Sequence, residues 1–228
     1  MIDNDKASSV AKNIKLLILD VDGVLTDGGI SFDENGVEHK KFDSQDGVGI
    51  KLLQLSDIEV AVITARSTKS VAHRLKGLGV KHYYHGILDK SIALKELTKK
   101  LSIEMSESAY VGDDVIDLPA MTRVGFPIAV ANAHSFVKEN ALMITNNSGG
   151  SGAVREVCDF LLKSQNKYDE LTFEEKFESL GDKNKEMFES LLTSYREIIT
   201  IQNKVYGELN KEEREILADA ERRLTVLN

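Results

Sequence analysis

The chain has little cysteine, no excess of positive charge and no long hydrophobic run, and each shortage removes a class of protein. Cys158 is the single thiol among 228 residues. No internal disulfide can form, and a reducing compartment, the cytoplasm, is the expected location. Lysine and arginine total 29 against 37 aspartates and glutamates, a formal net charge of −8. Nucleic acid and anionic membrane surfaces would be repelled by that balance. An anionic small substrate stays open, because a bound cation can reverse the field locally. The longest apolar runs are strand-sized, too short for a bilayer, and Met1 to Asn13 is polar, without the apolar stretch of a secretory signal. No glycine-rich dinucleotide motif, no Walker sequence and no internal repeat occurs.

What is present alternates strand with helix. Ile14 to Val21 is a short run rich in Leu, Ile and Val with polar borders, the pattern of a strand buried on both faces. Glu59 to Thr64, Ala109 to Gly112 and Phe126 to Val130 read the same way. Helical spacing covers Val48 to Ser56, Ser67 to Leu78, Lys90 to Leu101 and Ile116 to Thr122, with Gly79 placed where a helix ends in a left-handed residue. Together these predict an α/β fold, a Rossmann-like parallel sheet, over residues 1–165. At about 29–42 the rhythm breaks. Two extended stretches flank Asp33-Glu34-Asn35-Gly36, and Asn-Gly between such stretches predicts a β-hairpin flap just after the first strand. The run Asn146 to Gly152 reads as a flexible loop and Ala153 to Ser164 as a helix. Residues 166–228 are dense in Glu and Lys, with Phe188, Leu191, Leu192, Tyr195 and Ile198 at helical spacing, and predict a charged helical C-terminal extension.

The residues with chemistry fall at the carboxyl ends of the predicted strands, the edge where open parallel sheets bind ligands. Asp20 and Asp22 end the first strand, Thr64 ends the second, and Asp113 and Asp114 follow a later one; Lys90 opens a helix between them. This set suits phosphoryl transfer. A carboxylate attacking a phosphate dianion needs a divalent cation, and clustered carboxylates are hard oxygen ligands suited to Mg²⁺. Asp20 is the candidate nucleophile, forming an acyl phosphate. Asp22 would protonate the leaving alkoxide and then activate water. Thr64 and Lys90 would hold the phosphoryl oxygens. Asp20, Asp22 and Asp113 are the candidate metal ligands, with Asp114 and Asp117 behind them and Asp114 orienting Lys90 or a metal-bound water.

The string Asp20-Val21-Asp22-Gly23-Val24-Leu25-Thr26-Asp27-Gly28 resembles the first motif of the haloacid dehalogenase superfamily of phosphatases. Thr64, Lys90 and Gly112-Asp113-Asp114 match its later motifs in order. The longer strings DVDGVLTDGGI, DGVGIKLL, VGDD-x-x-DLPAM and GG-x-GAVREV resemble one branch over residues 14 to about 165. That branch comprises the 3-deoxy-D-manno-octulosonate (KDO) 8-phosphate phosphatases and relatives acting on nine-carbon sialic-type acid 9-phosphates. The resemblance implies an uncapped core, Mg²⁺ as cofactor, a phosphorylated sugar acid as substrate in KDO and lipopolysaccharide biosynthesis, and a homotetramer whose hairpins cluster. It implies substrate contacts at Thr26, Arg66 and Lys90, a guanidinium suiting a sugar acid's carboxylate. Spacing independently supports the missing cap, since only one helix and one strand fit between Thr64 and Lys90. The chain departs from the branch at Ala65, where glycine is usual, at His85, where glutamine is more usual, and in its long tail.

Other readings are weaker. A two-component receiver domain would place its lysine last, whereas Lys90 precedes Asp113. A haloalkanoate dehalogenase needs no acid at Asp22, because halide leaves unprotonated. A non-catalytic module of the same fold would have lost a motif residue, and none is missing. Phosphoprotein phosphatase activity is compatible with an open site. The glycines at 149, 150 and 152 read as a connector, Arg155 as structural or substrate-binding, and His39, His73, His82 and His134 lack metal-ligand spacing.

Overall fold

The structure is a computed structural model that describes residues 4–168. The expected extension over residues 166–228 therefore lies almost wholly outside the described residues.

The strand signals build one six-stranded sheet, ordered β5-β4-β1-β6-β7-β8, with every neighbouring pair parallel. Its strands are β1 (Leu16–Leu19), β4 (Glu59–Thr64), β5 (His82–His85), β6 (Ser108–Gly112), β7 (Phe126–Ala129) and β8 (Met143–Ile144). β1, Leu-Leu-Ile-Leu, is buried at all four positions and pairs on both edges, with β4 and with β6. An unbroken apolar run suits a strand that faces helices on both sides. The chain leaves β1 for β4 and β5, then crosses back to β6 and β7. The direction of strand order thus reverses at β1, and the carboxyl ends of β1, β4 and β6 bound the crevice created there.

Of the longer helices, α4 (Lys90–Leu101) and α7 (Ala153–Ser164) keep their expected limits, α3 (Lys69–Gly77) is slightly shorter than expected, and α2 (Ser44–Leu55) starts at Ser44 rather than at the expected Val48. Asp43 accepts a hydrogen bond from the Gln45 amide and Asp89 one from the Ser91 amide, satisfying free N–H groups of the first turns. Gly79 adopts φ +68° just past α3. α7 buries Ala153, Val154, Val157, Cys158, Leu161 and Leu162, a stripe at helical spacing, and packs on α2 and on α1 (Asn4–Ala11). α4 packs on α5 (Leu118–Met121) and β4.

Several boundaries differ from expectation. The strand expected over Ile14 to Val21 is shorter, because Asp20 and Val21 already turn into the loop that follows. The helix expected over Ile116 to Thr122 is a 3₁₀ turn at Val115–Asp117 followed by α5, with Pro119 in its first turn. α1 was not anticipated from its polar composition; Ala7 and Ala11, one turn apart, are its buried positions. β8 and the short α6 (Ser135–Glu139) were also unforeseen. The hairpin is present as β2 (Ser31–Phe32) paired antiparallel with β3 (Glu38–His39). Its turn is longer than a two-residue Asn-Gly turn: the Asp33 carboxylate accepts from the Asn35 and Val37 amides, and Gly36 takes φ +74°. No further domain interrupts the sheet among the described residues.

Candidate active site

β1 delivers Asp20 to the carboxyl edge, where it is buried and its amide donates to the Val111 carbonyl at 3.2 Å. The loop after it turns at Gly23, φ +87°, and a Cβ there would overlap the Asp113 carboxylate. Glycine is required on both counts. β6 delivers Asp113. The 3₁₀ turn beyond it carries Asp117, and the first residue of α4 carries Lys90. Carboxylate oxygens of Asp20, Asp113 and Asp117 lie within 4.8 Å of one another. Lys90, fully buried, places Nζ 2.7 Å from Asp20 Oδ1 and 2.7 Å from Asp117 Oδ1. Thr64 is buried at the end of β4, where its hydroxyl accepts from the Arg66 amide at 3.2 Å.

The charge balance of this pocket is unfavourable by itself. Three carboxylates meet one ammonium. At an effective dielectric near 20, like charges 4.8 Å apart repel by about 3.5 kcal/mol. Burial, and then repulsion from Asp117, raise the Asp20 pKa to about 7 against the attraction of Lys90. Burial, then Asp117 and Asp20, raise that of Asp113 to about 7 as well. Burial works against the Lys90 ammonium, yet Asp20 and Asp117 outweigh it and raise its pKa.

A divalent cation fits this donor set. Asp113 Oδ1 is buried without a hydrogen-bond partner, and buried carboxylate oxygens suit a hard cation. Asp117 sits within the acidic trio but both its oxygens are already taken. Oδ1 accepts from Lys90 and from the Tyr110 hydroxyl at 2.9 Å, and Oδ2 from the Asp113 and Asp114 amides at 3.0 and 3.2 Å. Its geometry is that of a residue orienting Asp113 and Lys90 from behind.

The structure does not gather every expected residue. The Asp22 carboxylate stays outside the acidic trio; it contacts Lys40 Nζ and lies 3.8 Å from Arg66 Nε. Asp114 does not orient Lys90. Its carboxylate accepts from the Val115 amide at 2.7 Å and caps the 3₁₀ turn. Thr26 is buried, its hydroxyl donating to the Val21 carbonyl and accepting from the Gly23 and Gly28 amides. Those three contacts close the loop on itself. Arg66 is partly exposed at the rim, with Nη2 2.8 Å from Glu38 Oε2 on the hairpin. Arg155 pairs with Asp159 one turn along α7. His85 packs its ring on Tyr83.

Two features carried no usable sequence signal. Lys40 and Glu38 look like solvated hairpin charges, yet the Lys40 side chain is only 1% exposed and reaches the first loop. The run at 146–152, expected to be flexible, packs against that loop: a Cβ at Gly149 would overlap the Gly23 carbonyl, and one at Gly150 the Asp27 amide. These glycines permit two backbones to touch.

Fold and site together define the class. A parallel sheet with an aspartate after its central strand, a buried lysine opening a later helix and an aspartate after the next strand is the architecture of the haloacid dehalogenase-like hydrolases, and residues 84–157 match that family. Within it the chain is 52% identical over 160 residues to the 3-deoxy-D-manno-octulosonate 8-phosphate phosphatase of Escherichia coli K12, covering 70% of this chain and 85% of that one. The Yersinia pestis phosphatase of the same name is 47% identical over 162 residues, 71% of this chain and 87% of its own. The chain belongs to the 3-deoxy-D-manno-octulosonate 8-phosphate phosphatase family. Among solved structures, the Moraxella catarrhalis phosphatase in complex with magnesium ion, phosphate ion and KDO superimposes with a TM-score of 0.72 at 46% identity, over 73% of this chain and 95% of that one. The cobalt-bound Haemophilus influenzae phosphatase gives a TM-score of 0.70 at 40% identity, over 74% and 98%.

Proposed function

We propose that this chain is a magnesium-dependent phosphatase that hydrolyses 3-deoxy-D-manno-octulosonate 8-phosphate to KDO and inorganic phosphate. The observation that carries the reading is the buried meeting of Asp20, Asp113 and Lys90 in a chain 46% identical to a phosphatase holding magnesium, phosphate and KDO. Asp20 and Asp113 are the residues that would hold the cation through their carboxylates. When bound, magnesium neutralises the carboxylates and the phosphate dianion so that they can approach.

Asp20 attacks phosphorus, and its new O–P bond forms as the bond to the sugar oxygen breaks. Asp22 gives a proton to that oxygen. Lys90 and Thr64 line the same edge and hold phosphoryl oxygens, Lys90 also fixing the Asp20 carboxylate for in-line attack. Water then adds to phosphorus while Asp22 takes its proton, and the aspartyl bond breaks to release phosphate. Arg66, at the rim, receives the substrate carboxylate.

The catalytic unit comprises residues 1–165, with 166–228 an appended extension. Ile30, Phe32 and Val37 are exposed on the hairpin, apolar surface that supports assembly through clustered hairpins as a homotetramer. Among the described residues no helix is long and apolar enough to cross a membrane, and the lone buried thiol supports work in the reducing cytoplasm. The test is phosphate release with Mg²⁺ from KDO 8-phosphate, a nine-carbon sialic-type acid 9-phosphate and a phosphopeptide. The eight-carbon substrate should give the highest kcat/KM, and Asp20→Asn should abolish turnover. Full activity in Asp20→Asn, or preference for either competitor, would overturn the assignment; light scattering checks the tetramer.

A further inference from the structure

The two aspartates of the first loop are held by different parts of the fold. Asp20 is fixed from within the core by Lys90. The only described side chain donating a hydrogen bond to Asp22 is Lys40, which immediately follows hairpin strand β3. Residues 31–37 of that hairpin are exposed, yet the Lys40 side chain is 1% exposed, folded back from the flap onto the catalytic loop. Burying a lysine is costly unless its charge is matched. The match here is double: Nζ contacts Asp22 Oδ1 and lies 2.8 Å from Glu38 Oε1.

Glu38 performs a second task. Its other oxygen, Oε2, holds Arg66 Nη2 at 2.8 Å, which leaves Arg66 Nε 3.8 Å from Asp22 Oδ2, beyond hydrogen-bonding distance. A guanidinium freed from Glu38 would have the fork geometry to clamp both Asp22 oxygens. In the observed arrangement Lys40 holds Oδ1, and no described residue donates a hydrogen bond to Oδ2. One carboxylate oxygen is anchored and the other is left to exchange a proton.

We infer that Lys40 is a positioning residue for Asp22: the hairpin aims the acid/base group by anchoring its Oδ1, with Glu38 keeping Arg66 off Oδ2. The inference rests on the reading of Asp22 as the acid/base. It makes the hairpin part of the catalytic apparatus, and it separates the alignment of the nucleophile, set by the core, from that of the proton donor, set by the flap.

The leaving group provides the test. The alkoxide of a sugar phosphate needs a proton, whereas p-nitrophenolate departs without one. First-turnover rates are measured by rapid quench with KDO 8-phosphate and by the nitrophenolate burst with p-nitrophenyl phosphate, both with saturating Mg²⁺, for wild type, Lys40→Met, Lys40→Arg and Asp22→Asn. Misplacing a catalytic group by about an ångström costs roughly 100-fold. Lys40→Met is therefore expected to slow the sugar-phosphate turnover by about that factor while leaving the nitrophenolate burst close to wild type. Lys40→Arg, which can still donate to Oδ1, should recover much of the loss. An intact burst also reports a folded protein with a working Asp20. Equal slowing with both substrates, or none with either, overturns the inference. If Asp22→Asn shows the leaving-group dependence and Lys40→Met does not, the positioning role alone fails. If Asp22→Asn shows none, the acid/base reading itself falls.

Discussion

Replacing Asp113 by asparagine should abolish turnover and yet make the metal-free protein more stable with rising pH, relative to wild type. The Asp113 carboxyl has a pKa of about 7 in the folded protein against an ordinary value of 3.8, through burial and the neighbouring Asp117 and Asp20. A raised carboxyl pKa means that the folded state favours the protonated form. Wild-type stability is therefore complete below the unfolded value and is lost progressively as pH climbs from about 4 to about 7. At pH 8 the full shift corresponds to about 4 kcal/mol, and at pH 5 to somewhat under 2 kcal/mol. Asparagine carries no such penalty, but its buried amide lacks a partner where Asp113 Oδ1 now has none, at a cost of about 1–3 kcal/mol. That cost does not depend on pH, so it cancels in a difference. Between pH 5 and pH 8 the stability of Asp113→Asn relative to wild type should rise by roughly 2–3 kcal/mol, or on the order of 5–10 °C in relative Tm. The assay is urea and thermal denaturation of both proteins in EDTA at each pH. Adding Mg²⁺ should shift the balance at pH 8 towards wild type, since a cation at 100 times its Kd stabilises it by about 2.7 kcal/mol and Asp113→Asn by less. A difference in stability that does not change with pH, or an equal response of both proteins to Mg²⁺, would refute the account of the acidic cluster.

Two further predictions follow from the same geometry. Lys90→Met leaves Asp20 and Asp117 facing each other without their cation, and should cost about 3–5 kcal/mol by denaturant titration in EDTA near neutral pH, with loss of phosphatase activity; a variant as stable as wild type would contradict the ion-pair balance. Gly149→Ala pushes a methyl group into the Gly23 carbonyl, so it should lower kcat at least about tenfold while changing far-UV circular dichroism little, because the displaced backbone is the catalytic loop itself. Unchanged kcat would mean that the 146–152 run does not brace that loop.

The parts legible in sequence were those governed by local rules. The apolar runs of β1 and β4 required burial on both faces. The helices α4 and α7 fell within their expected limits because periodic apolar stripes are strong signals. From the alternation came a parallel sheet, and from a parallel sheet the carboxyl edge at which Asp20, Lys90 and Asp113 meet and β4 ends in Thr64. Those steps needed only chain order and spacing.

Long-range contact decided the rest. A lysine in a hairpin has the same local character whether it points to water or to Asp22; only the folded flap, by bringing position 40 against position 22, made Lys40 a buried partner. Thr26 reads as one more motif residue, and only the folded backbone shows its hydroxyl closing the loop onto Val21. Asp114 and Asp117 are equivalent by composition, yet the 3₁₀ turn directs Asp117 inward to Lys90 and Tyr110 and Asp114 to the turn's own amide. The glycines at 149 and 150 suggested freedom of motion and proved to permit contact, because a missing Cβ serves either purpose and only the presence of another backbone distinguishes them.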